Sequence, residues 1–205
     1  MLSIITGDII ESQTRHPDTW MEKLKAELNT IGQAPAIWEI YRGDSFQVLI
    51  NDPFQSLLCA FKLKATIKSI KGLDVRMAIG FGNKDYSPAH ITESNGTAFV
   101  FSGEKYERLK KENINLAIRS SNEVFDAEIN LYLKLLLSVV DKWTVNSAEI
   151  VKICLEHPTT SQEEIGKILG IKQNAVSNRL KRACFEELNE VLAMFKTKLK
   201  RTDLK

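Results

Sequence analysis

Thr160 to Ala183 reads T-S-Q-E-E-I-G-K-I-L-G-I-K-Q-N-A-V-S-N-R-L-K-R-A, and its punctuation predicts two short helices joined by a tight turn. Ser161 is placed to cap the first helix, with Glu163 and Glu164 in the first turn, where carboxylates meet unpaired N–H groups and the positive end of the dipole. Ile165, Ile168 and Leu169 recur at three- and four-residue spacing, Gly170 can take the positive φ that a sharp stop requires, and Ile171 plugs the turn. In the second helix Val176 and Leu180 share a face, spaced to pack back on Ile165 and Leu169.

The pair therefore reads as a helix-turn-helix. The outward face of its second helix carries Lys172, Gln173, Asn174, Ser177, Asn178 and Lys181, with Arg179 and Arg182 at its flanks and no acidic residue among them. Amides and hydroxyls suit base edges and cations suit phosphates, so double-stranded DNA is the expected partner. The competing readings are a helical bundle or a helix-turn-helix that contacts protein. Ala148 to Leu155 is expected to be a supporting helix. Past Ala183 an apolar-striped helix ends in Lys196, Lys198, Lys200 and Arg201, which can add phosphate contacts.

This stretch resembles the helix-turn-helix of bacterial transcription regulators, in a terminal domain similar to region four of sigma factors or the output domain of response regulators. Gly166 stands where such motifs usually carry Ala, and Lys172 where Ser or Thr usually caps the second helix.

Working outward, the 205 residues are 43% hydrophobic and 26% charged, an ordinary globular composition with room for one large or two small domains. The net charge of +2 is unevenly spread: from Asp141 onward twelve Lys and Arg face nine Asp and Glu, against sixteen and seventeen before it. Cys59, Cys154 and Cys184 are odd in number, far apart and in apolar surroundings, which predicts free thiols in a reducing compartment. His16, His90 and His157 lack partners at metal-ligand spacing. Met1 to Ile5 has no basic n-region and meets Asp8 early, and no apolar run approaches membrane-spanning length, so a cytoplasmic protein with no membrane partner is expected.

Nearer the start, Leu2 to Thr6 predicts a buried strand ending at Gly7-Asp8, with Asp8 delivered to a loop. Trp20, Leu24 and Leu28 predict a helix. Trp38 to Tyr41 and Phe46 to Ile50 form a hairpin with Asp44 at its tip. Phe54 to Ile70 reads as helix, Val75 to Phe81 as strand, Ile91 as the start of a short edge segment, Gly96 to Lys111 as helix bounded by Asn113, and Ile114 to Ile118 as strand. The order predicts an α+β fold: a ferredoxin-like or palm-type antiparallel sheet with helices on one face, over residues 1–121. A connector helix from Asn122 to Trp143 follows, read as a core helix ahead of a dimer interface, and then an all-α helix-turn-helix domain over 144–205.

Thr6-Gly7-Asp8-Ile9-Ile10-Glu11-Ser12 resembles the first metal-aspartate strand end of the nucleotidyl-cyclase and diguanylate-cyclase palm, and Tyr41-Arg42-Gly43-Asp44-Ser45-Phe46 its Gly-Asp hairpin. The resemblance implies Asp8 and Asp44 as Mg²⁺ ligands on a nucleotide. Arg42 and Arg76 are the candidate cations for its phosphates, against the commoner reading as surface or paired arginines. By register from Gly96, the Asn and Arg that class III cyclases use to stabilise developing charge are replaced by Val100 and Glu104, which implies a degenerate or differently used site. The motif order I-T-G-D-I-I-E-S, W-E-I-Y-R-G-D-S-F-Q, E-S-N-G-T-A-F-V-F-S-G-E and a terminal helix-turn-helix resembles the SatD family across almost the full chain. It implies a bacterial transcriptional regulator, possible as a homodimer, whose first domain senses a ligand or mediates assembly. The alternative is a Mg-dependent nucleotidyl cyclase or transferase using Asp8 and Asp44.

Overall fold

The computed structural model describes residues 1–86 and 88–202. It is an α+β chain in the order β1 (Leu2–Ile10), α1 (Met21–Asn29), β2 (Trp38–Tyr41), β3 (Ser45–Ile50), α2 (Ser56–Lys68), β4 (Asp74–Gly82), α3 (Thr97–Glu112) and β5 (Leu116–Arg119). Five helices complete it: α4 (Glu123–Val140), α5 (Val145–Glu156), α6 (Gln162–Leu169), α7 (Gln173–Arg182) and α8 (Phe185–Arg201). No helix among the described residues is long and apolar enough to cross a membrane.

The strands lie in the order β2-β3-β1-β4-β5. All neighbours are antiparallel except β4 and β5, so the sheet is mixed where an antiparallel one was expected. The cause is α3, a crossover that returns the chain to the end at which β4 began and forces β5 to run parallel to it.

Strand β1 also runs past its expected end. Gly7 lies opposite Phe46 and Met77, and Asp8 opposite Ser45 and Arg76, inside the sheet. A Cβ on Gly7 would sit 2.7 Å from the Arg76 carbonyl oxygen and 2.8 Å from the Phe46 ring. The glycine marks a close approach within the sheet, not a turn.

Alternation along the strands then covers both faces. Ile5, Ile9, Val48, Val75, Met77, Ile79 and Phe81 join one continuous core with Leu24, Leu28, Phe61 and Ile67, then Phe125, Ile129 and Leu133 of α4, and on to Ile165, Val176 and Phe195. The opposite face packs Ile4 and Leu49 on Ala98 and Phe99, and Ala78 and Ala117 on Leu109, all from α3. Helices therefore flank the sheet on two sides, where one was expected. The small residues Ala78, Gly80 and Gly82 in β4 are what let α3 come close.

Ile91 opens a 3-10 turn, Ile91–Glu93, and not an edge strand. Its neighbours are claimed by Glu39 of β2, which accepts from Thr92 N at 3.1 Å and Thr92 Oγ1 at 2.6 Å and meets His90 Nδ1 at 2.6 Å. The hydrogen bond to the Glu39 carboxylate holds the His90 imidazolium above its ordinary 6.5. A raised folded value means the stabilisation is complete below the ordinary value and lost as pH rises through the raised one. In Glu39→Gln the His90 midpoint, followed by NMR of the imidazole ring protons, is expected to fall toward 6.5; an unmoved midpoint would remove Glu39 as its cause.

Helix α4 is shorter than the Asn122 to Trp143 expected. Asn122 caps it, Oδ1 accepting from Phe125 N at 2.9 Å. Trp143 lies beyond it, buried, donating from Nε1 to the Ala183 carbonyl at 3.0 Å and so tying the end of α4 to the end of α7.

Candidate nucleic-acid interface

Helix α6 begins with a full capping box: Ser161 Oγ accepts from Glu164 N, and the Glu164 carboxylate accepts from Ser161 N at 2.9 Å. It stops at Gly170, φ 65°, where the Ile171 amide reaches back to the Gly166 carbonyl at 2.9 Å. A Cβ on Gly166 would lie 2.6 Å from the Ile171 carbonyl oxygen, so the absent side chain is what seats the turn against α6. That closeness explains the departure from Ala.

Ile165 and Val176 are buried, and Leu169, Ile171 and Leu180 are half-buried against the same core. Ile168, read as part of that stripe, is 62% exposed. The turn packs at Gly166, on the far side of Ile165, which leaves Ile168 about 100° round the helix from the centre of the buried side.

On α7 the residues Lys172, Gln173, Asn174, Ser177, Asn178, Lys181 and Arg182 are all exposed, and Arg179 half so. The helix contains no acidic residue, and its last turn carries Arg179, Lys181 and Arg182. No ion pair among the described residues takes any of these cations. Lys172 sits at the N-cap without a side-chain capping bond. Beside and behind α7 lies an open cleft of about 970 Å³, lined by Leu155, Ile165, Leu180 and Phe185, edged by Ser177 and Lys181 of the exposed face, and reaching Leu58 of α2.

At the sheet, pairing of β1 with β3 brings Asp8 and Asp44 next to each other, Ile9 N donating to the Asp44 carbonyl at 3.2 Å. Their carboxylates are already engaged. Asp8 takes a two-pronged bond from Arg76, Nε at 3.0 Å and Nη2 at 2.7 Å, and Asp44 accepts from Ser12 Oγ at 2.5 Å. The bond to Asp8 raises the Arg76 pKa further, so that guanidinium is a fixed cation beside Asp8. Burial, then the Asp8 charge, pushes the nearby Tyr106 phenol up, keeping it a neutral donor.

Arg42 is exposed in the hairpin turn with φ 53°. Val100 is 47% exposed, and Glu104 pairs with Arg119, whose guanidinium lies 5.4 Å from the Phe101 ring centre. No group of three His, Cys, Asp or Glu side chains able to hold a metal occurs among the described residues. The three thiols are free, and burial pushes Cys59 and Cys154 up to about 11, which leaves little thiolate for redox chemistry at neutral pH.

Comparison with protein-family models and with curated proteins finds no match to this chain.

Proposed function

We propose that the chain is a DNA-binding transcriptional regulator of the SatD type, in which α6 and α7 form a helix-turn-helix and α7 enters the major groove. One observation carries the reading: α7 holds an exposed, acid-free ridge of amides, hydroxyls and cations while Val176 locks its other side into the core. The antiparallel order β2-β3-β1-β4 supports a ferredoxin-like, palm-derived first domain over 1–121, with β5 added at its edge and α4 as connector to 144–205. The cleft beside and behind α7 gives a ligand a place from which to move that helix. The setting is the cytoplasm of a bacterium.

A second reading is Mg-dependent nucleotidyl transfer, favoured by the adjacency of Asp8 and Asp44, with Arg42 toward the nucleotide phosphates. It requires Asp8 to exchange Arg76 for the metal ion. Product formed from labelled nucleoside triphosphates with Mg²⁺, and abolished in Asp44→Ala, would establish it.

The DNA reading is tested by capture of genomic fragments followed by salt titration of the selected sites. Replacing Lys172, Asn174 and Lys181 together by Ala is expected to weaken binding about a hundredfold and to lower the salt slope by about two, one unit per lysine. Lys172→Ser separates binding from stability: the new hydroxyl cap should stabilise α7 by about 1 kcal/mol while the salt slope falls by about one. A triple variant that binds like the unaltered chain would sink the proposal.

A further inference from the structure

Helix α4 is apolar on two sides. Phe125, Ile129, Leu133 and Leu137 face the core, while Val124, Ala127, Leu131, Leu135 and Ser138 form a second stripe, at three- and four-residue spacing, that is open to solvent. Val124 is 79% and Leu135 64% exposed. A helix with apolar stripes on two opposite sides ordinarily has a partner on each.

Two charges lie in the open stripe, Glu128 and Lys134, three residues to either side of Leu131. Lys134 forms no ion pair among the described residues. Glu128 bonds Lys198 of α8 and the Tyr132 hydroxyl, both at 2.7 Å, and its side chain remains 32% exposed, open to a further cation.

We propose that α4 packs antiparallel on α4 of a second copy, about a two-fold axis at Leu131. That axis sets Glu128 against the partner's Lys134 twice over, sets Leu135 against the small Ala127, and brings Val124 opposite Ser138. Charge and size are both self-complementary, which an isologous contact demands and an arbitrary apolar patch does not supply. A second feature fits the same axis. Between α4 and α8 lies a hollow of about 290 Å³ walled by Leu135, Leu136, Val139, Cys184 and Val191. Leu135 and Val139 flank Ser138, so the arriving Val124 of the second copy lands at that hollow. The 18 residues of α4 give a contact about 27 Å long, and the adjoining wall of α8 widens it toward the area a stable dimer buries.

The proposal is independent of the DNA reading, because mass is measured without nucleic acid. In sedimentation equilibrium at micromolar concentration the full chain is expected at twice 23.2 kDa. Leu131→Glu places two carboxylates on the axis and is expected to give the single mass with an unchanged circular-dichroism spectrum. Lys134→Glu sets like charges together at both symmetry-related contacts and should weaken association about tenfold or more. Leu131→Cys meets itself across the axis, so mild oxidation with oxidised glutathione should join two chains by a disulfide. A monomeric unaltered chain, a dimeric Leu131→Glu variant, or a Leu131→Cys variant that fails to cross-link would each overturn the proposal.

Discussion

Lys64→Ala is expected to lower folding stability by about 3 kcal/mol, the lower end of the range for breaking a buried ion pair, because the Asp141 carboxylate left behind is itself 31% exposed. The Lys64 side chain is 0% exposed, and its ammonium meets Asp74 Oδ1 at 2.8 Å and Asp141 Oδ1 at 2.7 Å. Lys68 closes the group, bonding Asp74 Oδ2 at 2.9 Å and the Asp141 carbonyl at 2.8 Å, and Asn115 donates to Asp141 Oδ2 at 3.1 Å. Two cations and two carboxylates thus balance where α2, the start of β4, the approach to β5 and the end of α4 converge. Without Lys64 the remaining cation keeps Asp74, and Asp141 is left with an amide alone.

Two consequences distinguish this from lost packing. Lowering the pH removes the charge that has lost its partner, so the deficit in urea unfolding should shrink toward pH 4. Replacing both partners, Lys64→Met with Asp141→Leu, should recover most of the loss. A deficit below about 1 kcal/mol in Lys64→Ala would show that the cluster does not hold these elements. The position matters for the C-terminal helices as well. Asp141 is two residues before Trp143, whose indole fixes the end of α7, so the cluster anchors the helix that presents the basic ridge.

Local signals were legible where one residue type has one use. Ser161 with Glu164, the αL Gly170, and the αL Asn113 that ends α3 each stand where the sequence places them, because capping and positive φ are decided within a few residues. The same holds for the four-residue spacing of Trp20, Leu24 and Leu28, all buried. What sequence reasoning missed was set by distant contacts. Gly7 reads as the end of a strand until Phe46 and Arg76 are seen beside it, and Gly166 reads as a departure until the Ile171 carbonyl is seen against it. Lys64 sits in an apolar helix with no sequence neighbour to neutralise it; Asp74 and Asp141 reach it only through the fold. Arg76 likewise finds Asp8 only through strand register. The second helical face was missed as well, although β4 alternates large apolar residues with Ala78, Gly80 and Gly82, small residues that ask for close cover.

Gly80→Ala should accordingly be among the most damaging small substitutions in the chain, costing about 3 kcal/mol, at the upper end of what overpacking does. The new Cβ would lie 2.2 Å from the Ala98 carbonyl oxygen and 2.4 Å from Ser102 N. Both are backbone atoms of α3, so no rotamer change relieves the clash and the helix itself must lift. Lifting it breaks the Thr6 to Ser102 hydroxyl contact at 3.0 Å and opens the Ile4, Leu49, Ala98 and Phe99 cluster. Gly80 pairs with Ile4 on one side and Arg119 on the other, so the strand cannot retreat either. Gly103, one residue past Ser102, is the control: it lies inside α3 and a Cβ there meets nothing within 4 Å. Gly103→Ala should therefore stabilise by about 0.5–1 kcal/mol, through helix propensity and a less flexible unfolded chain. The two glycines differ in sign because one is required by distance and the other is only tolerated by the helix; equal effects in urea unfolding would mean that α3 does not lie on β4 as closely as described.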